Sequence, residues 1–96
     1  MAYVILTTKP GQFRTEPGPG LTPVEAWDYL FCGRKRAGFV IAELQSPSRV
    51  RIIDETGPVN SVPTKFLEAF DSVDEARAEL RTLTAYRNMP AELRPA

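Results

Sequence analysis

Histidine is missing from these 96 residues, and cysteine occurs once, at Cys32. The first absence excludes serine–histidine triads, histidine general bases and the commonest zinc ligand sets. The second excludes an intrachain disulfide and any iron–sulfur or thiolate metal site built by one chain. Nothing in the cysteine usage asks for an oxidising compartment. No apolar run approaches the roughly 20 residues that span a bilayer, so no membrane partner is expected. The opening "MAYVILTTK" has neither a basic segment before its apolar run nor a small-residue cleavage site, so it does not read as a secretory leader. An excess of one charge is missing too. The 12 Lys and Arg balance 12 Asp and Glu, which speaks against a broadly basic nucleic-acid binder. The expectation is a cytoplasmic, non-catalytic domain with no metal site and no cofactor.

What is present suits one small folded unit. The chain is 43% hydrophobic and 25% charged, enough to bury a modest core. "AYVILTT" (2–8) is a β-branched run that stops before Pro10-Gly11 and reads as a strand. The stretch 9–20 is crowded with proline and glycine and reads as a loop. "TPVE" (22–25) has the form of a capping box, followed by an apolar set at Val24, Trp27, Tyr29, Leu30 and Phe31 and by Gly33 in the position of a C-terminal cap. Together they predict a first helix. "GFVIAELQ" and "RVRIID" flank "SPS" (46–48) and predict a hairpin over 37–54 with Gln45 facing Arg49. "TKFLEAF" (64–70) suits a short helical segment. "SVDE" (72–75), with Val73, Ala76, Leu80 and Leu83, opens a helix to Thr84. The order strand, helix, strand, strand, helix, helix predicts an α+β fold. Its sheet would be small, with three or four mainly antiparallel strands and helices on one face. Residues 1–84 make the domain and 85–96 a tail.

Charge is unevenly spread. Between residues 34 and 51, Arg34, Lys35, Arg36, Arg49 and Arg51 stand against Glu43 alone, while acidic residues dominate 68–79. In the expected hairpin Phe39, Ile41 and Ile53 share an outward face. That apolar face is covered by Phe13, by Tyr86 or by a second molecule, and it is bordered by the basic residues. Apolar area rimmed by charge is how interaction sites look. The expected function is therefore that of an accessory or regulatory protein, docking a protein partner through Arg34, Lys35, Arg36, Phe39, Ile41, Arg49, Arg51 and Ile53. A homodimer through the same face is a variant of that reading. The alternative is a small nucleic-acid module using the residues at 34–36 and 49–51, whose binding would fall steeply with salt. Cys32, at an expected helix C-terminus, reads as structural. "PGPG" (17–20) matches no phosphate-loop spacing. Alternation sends Asp54 and Glu55 to opposite faces, so they form no catalytic carboxylate pair.

Overall fold

Trp27, Tyr29 and Phe31 recur at every second position, the period of a strand, and aromatic side chains fit a pleated surface well. The residues that suggest a capped helix at 22–33 accordingly form strand β3 (Leu21–Phe31). The structure is a computed structural model and describes residues 2–84 and 91–96. Its described part is mostly β: seven strands in two antiparallel sheets and one α-helix. The α+β expectation of a three- or four-stranded sheet under several helices is overturned.

The first sheet has the order β1 (Ala2–Thr8), β4 (Arg34–Leu44), β3, β7 (Ala91–Pro95). The second has the order β2 (Phe13–Pro17), β5 (Arg49–Asp54), β6 (Val59–Pro63). The hairpin expected over 37–54 is not formed. β4 pairs with β1 on one side and β3 on the other, while β5 pairs with β2 and β6. Ser46-Pro47-Ser48 instead carries the chain from one sheet to the other. The true tight hairpin joins β3 to β4, where Phe31 faces Arg34 across Cys32-Gly33. Both turn residues have positive φ, 52° and 76°, as a two-residue type I′ turn requires. Gly33 therefore does use its left-handed freedom, at a strand turn and not at a helix end.

Strand β2 lies inside the proline-glycine stretch that reads as loop. The rest of that stretch runs beside the Ser46–Ser48 crossover between the sheets. A Cβ on Gly18 would sit 2.2 Å from the Arg49 carbonyl oxygen, and one on Gly20 would sit 2.4 Å from Ser46 Oγ. Only glycine lets these two backbones approach so closely.

The remaining helix, α1, spans Val73–Thr84 as the sequence predicts. Ser72 Oγ accepts the Glu75 N–H at 3.1 Å, and the Glu75 carboxylate accepts the Asp71 N–H at 2.9 Å. Helix at 64–70 reduces to a single 3-10 turn, Thr64–Phe66. The chain then runs extended to Phe70, whose N–H and C=O both bond Tyr3 at 2.8 Å. Residues 91–95 of the expected tail are strand β7, and the rest of that tail before Ala91 lies outside the described residues.

Sheet β1-β4-β3-β7 carries a core on each face. Alternation along β4 puts Ala37, Phe39 and Ile41 under α1 with Tyr29, Phe70, Ala76 and Leu80. It puts Ala42, flanked by Val40 and Leu44, on Val4, Leu6, Leu21 and Val50 beneath the second sheet. At the top of β3 a register shift leaves Val24 without a partner on β4. Next to it Glu25 takes both arms of the Arg77 guanidinium, at 2.7 and 2.5 Å, and the Trp27 indole N–H at 2.5 Å. This fork ties α1 to the sheet.

Candidate functional site

A second register shift falls where β3 meets the start of β4. Tyr29 faces Ala37 and Leu30 faces Lys35, which leaves Arg36 as the extra residue of a β-bulge. Bulges re-aim a side chain, and here Arg36 and its neighbour Ala37 line one cleft of about 650 Å³ on the helix side of the sheet. Its floor is aromatic: Tyr29, Phe31 and Phe39. One wall comes from the turn after β1, which supplies Lys9 and Gln12. That turn is fixed by Gln12 N–H to Lys9 C=O at 3.0 Å and by Glu55 N–H to Gln12 C=O at 2.9 Å. The other wall is the last turn of α1, with Leu83, 55% exposed, and Thr84, whose hydroxyl donates to the Leu80 carbonyl at 2.6 Å.

Among the described residues neither Arg36 nor Lys9 has an acidic partner, and none of the residues just named brings a carboxylate, a thiol or an imidazole to the cleft. The arrangement offers two cations, uncharged hydrogen-bonding groups and aromatic faces. It can hold an anionic group attached to an apolar body. Nor do His, Cys, Asp or Glu side chains gather in threes as a metal site among the described residues.

The basic triplet divides. Lys35 Nζ pairs with Asp28 at 3.0 Å, Arg36 turns to the cleft, and Arg34 stands across from Phe31 of its floor. Arg49 and Arg51 are not their neighbours. β4 alone covers roughly 30 Å between Arg34 and Leu44 at the strand rise of about 3.3 Å per residue, and Arg49 lies beyond the Leu44 end, at the sheet crossover. Arg49 donates to Ser61 Oγ at 2.7 Å and to its carbonyl at 3.2 Å, and Arg51 meets Glu16 at 3.7 Å. The five cations therefore form no continuous stripe. Phe39 and Ile41 are core residues, 7% and 0% exposed, and no outward apolar face joins them to Ile53. Ile53 is half-buried on β5 between Arg14 and Val59. Phe13, expected as a cover, is half-buried in β2 opposite Asp54, and Tyr86 lies outside the described residues.

A smaller cleft of about 350 Å³ lies between α1 and β7, lined by Trp27, Arg77, Leu80 and Leu93. At its margin the hydrogen bonds from Arg77 hold the Glu25 carboxyl below its ordinary value of 4.5. Cys32 is exposed in the β3–β4 turn. Asp54 caps the β5–β6 turn by accepting the Thr56 N–H and hydroxyl at 2.8 and 2.6 Å, which lowers its pKa.

The residues that complete the larger cleft, Lys9, Gln12, Leu83 and Thr84, come from segments far apart in the chain, and no local pattern marks them. The bulge that aims Arg36 is equally silent in sequence. No family model, curated protein or solved structure matches the chain, and no helix among the described residues is long and apolar enough to cross a membrane.

Proposed function

We propose that this chain is a non-catalytic accessory protein that binds another protein, and that its cleft receives an acidic segment bearing an aromatic or aliphatic side chain. One observation carries the reading: Arg36, delivered by the bulge, and Lys9 rim an aromatic floor with no acidic residue among the described ones to answer them. Exposed cations of this kind each contribute little, about 0.2–1 kcal/mol. The apolar floor supplies the larger part of the affinity, and the cations orient and select. The rival nucleic-acid reading lacks a continuous basic surface, since Lys35, Arg49 and Arg51 already have partners elsewhere.

Affinity capture from the native cell extract, with and without nuclease, separates the two. A protein retained after nuclease by the wild type and by Arg49→Glu, but lost with Arg36→Glu, supports docking in the cleft. Equal retention by wild type and Arg36→Glu overturns it. Nucleic acid that leaves with modest salt installs the rival.

A further inference from the structure

We infer that β7 is the seam of a homodimer, in which two copies pair their β7 strands antiparallel about a two-fold axis through Leu93. The other edges are each partly blocked. Tyr3 of β1 gives both its backbone groups to Phe70, and further along Thr7 C=O accepts the Thr15 hydroxyl. The β1-facing edge of β2 is turned inward, with Thr15 N–H on Thr8 Oγ1 at 3.1 Å. On β6, Arg49 reaches over to the Ser61 carbonyl, and Pro63 has no N–H to offer. Blocking of this kind is how folded proteins manage unpaired edges. Among the described residues no side chain or neighbouring segment reaches the outer side of β7 in this way.

The backbone of β7 limits the register. Ala96 N–H donates to Ala26 C=O at 3.0 Å, so even-numbered residues turn their backbone groups toward β3 and odd-numbered ones turn them outward. Leu93 therefore presents a free N–H and C=O, and so does Ala91. Pro95 faces outward, which is where a proline can sit in a strand without breaking its ladder. With Leu93 opposite Leu93 of the second copy, the two residues exchange both bonds. Each Ala91 N–H then meets the Pro95 carbonyl across the axis. Moving the axis onto Glu92 or Arg94 would keep outward groups opposed, but it would set Glu92 against Glu92, or Arg94 against Arg94, in the close type of pair, where like charges repel.

The side chains fit the same axis. In this register Glu92 of one copy lies directly opposite Arg94 of the other, in the close type of pair with Cα atoms about 4.5 Å apart. The stretch Glu92-Leu93-Arg94 is thus its own electrostatic complement. Within one protomer Arg94 and Glu92 already meet at 3.0 Å, and pairing extends this couple into a four-membered alternating cluster. Leu93 meets its symmetry mate on the helix side, beside Trp27 and Leu80.

Sedimentation velocity across a concentration series up to the millimolar range tests this, with circular dichroism confirming that each variant is folded. The wild type dimerises. Arg94→Glu places four carboxylates along the seam and raises the dissociation constant tenfold or more, and Glu92→Arg does the same with four cations. The double swap Glu92→Arg/Arg94→Glu remains self-complementary and restores the dimer, and an equimolar mixture of the two single variants forms a heterodimer. A wild type that stays monomeric throughout, a single variant that dimerises like wild type, or a double swap no better than the single changes each overturns the inference.

Discussion

The two faces of the β1-β4-β3-β7 sheet are covered in different ways. One lies under a second sheet and is packed with small aliphatic residues: Val4, Leu6, Leu21, Ala42 and Val50. The other is rich in aromatics, from Tyr3 to Phe39 and Phe70, and lies under a single helix. A helix is a narrow roof over a broad twisted sheet, so it leaves open ground on both sides. Both of the clefts described above lie on this helix-covered face. The comparison teaches that in this molecule the face closed most completely serves stability, while the incompletely roofed face is where a ligand can reach the interior.

The largest expected effects test the difference in closure directly. Leu6→Ala and Leu80→Ala each remove a buried side chain, and each costs about 2–5 kcal/mol. Leu80 lines an open cleft into which the helix can settle. Leu6 has no such relief, so its replacement falls at the upper end of the range and Leu80→Ala at the lower. Urea denaturation of both variants measures the order, and the reverse order would show that the two faces yield alike. A smaller effect comes from the turn, which belongs to neither face. Cys32 holds a left-handed conformation that costs an ordinary residue roughly 1–2 kcal/mol, so Cys32→Gly stabilises by about 0.5–1 kcal/mol after glycine's own entropic cost. Its melting temperature should rise by several degrees, with capture of the cleft partner unchanged.

The smallest effect separates the faces by pH. The roof is tied down by Glu25–Arg77, whereas the sheet-covered cluster of described residues is aliphatic. Because the folded pKa of Glu25 lies below its ordinary 4.5, the stabilisation it gives is complete above that value and is lost as pH falls through the lower folded one. Thermal melts from neutral pH to about 3 should show wild type losing stability more steeply than Glu25→Gln. The variant is the weaker protein at neutral pH, and the two converge in acid. Parallel curves would mean that the fork does not fasten the helix.

The sequence displays local structure well wherever one signal acts alone. Strand 2–8 and helix 73–84 stand in the structure as read, each having one dominant period and an unambiguous cap or stop. The stretch 22–33 misleads because Thr22, Pro23, Glu25 and Gly33 fit helix ends, while Thr22 and Pro23 also fit a strand, Glu25 the edge of a bulge and Gly33 a type I′ turn. The aromatic alternation at 27, 29 and 31 was the deciding signal. The strands β4 and β5 are legible, but their pairing is not. Two strands separated by a short polar link look like a hairpin whether they pair or part, and β4 has both its sides engaged by segments distant in sequence. Arg36 was visible as a candidate. The bulge that gives it a role, and the cation, carboxamide and hydroxyl that join it from 9, 12 and 84, arise only from tertiary register.

The double-sided character of β4 also sets where this chain can change length. Its odd positions from Ala37 to Ile41 serve the aromatic core and its even positions from Val40 to Leu44 the aliphatic one. One residue inserted or deleted between Gly38 and Leu44 would exchange both sets at once, sending phenylalanine into space shaped for valine. The turn at 56–58 touches neither alternation, whereas 46–48 is held against Gly18 and Gly20. Insertions and deletions in this protein's descendants should therefore collect at 56–58, while β4 keeps its length.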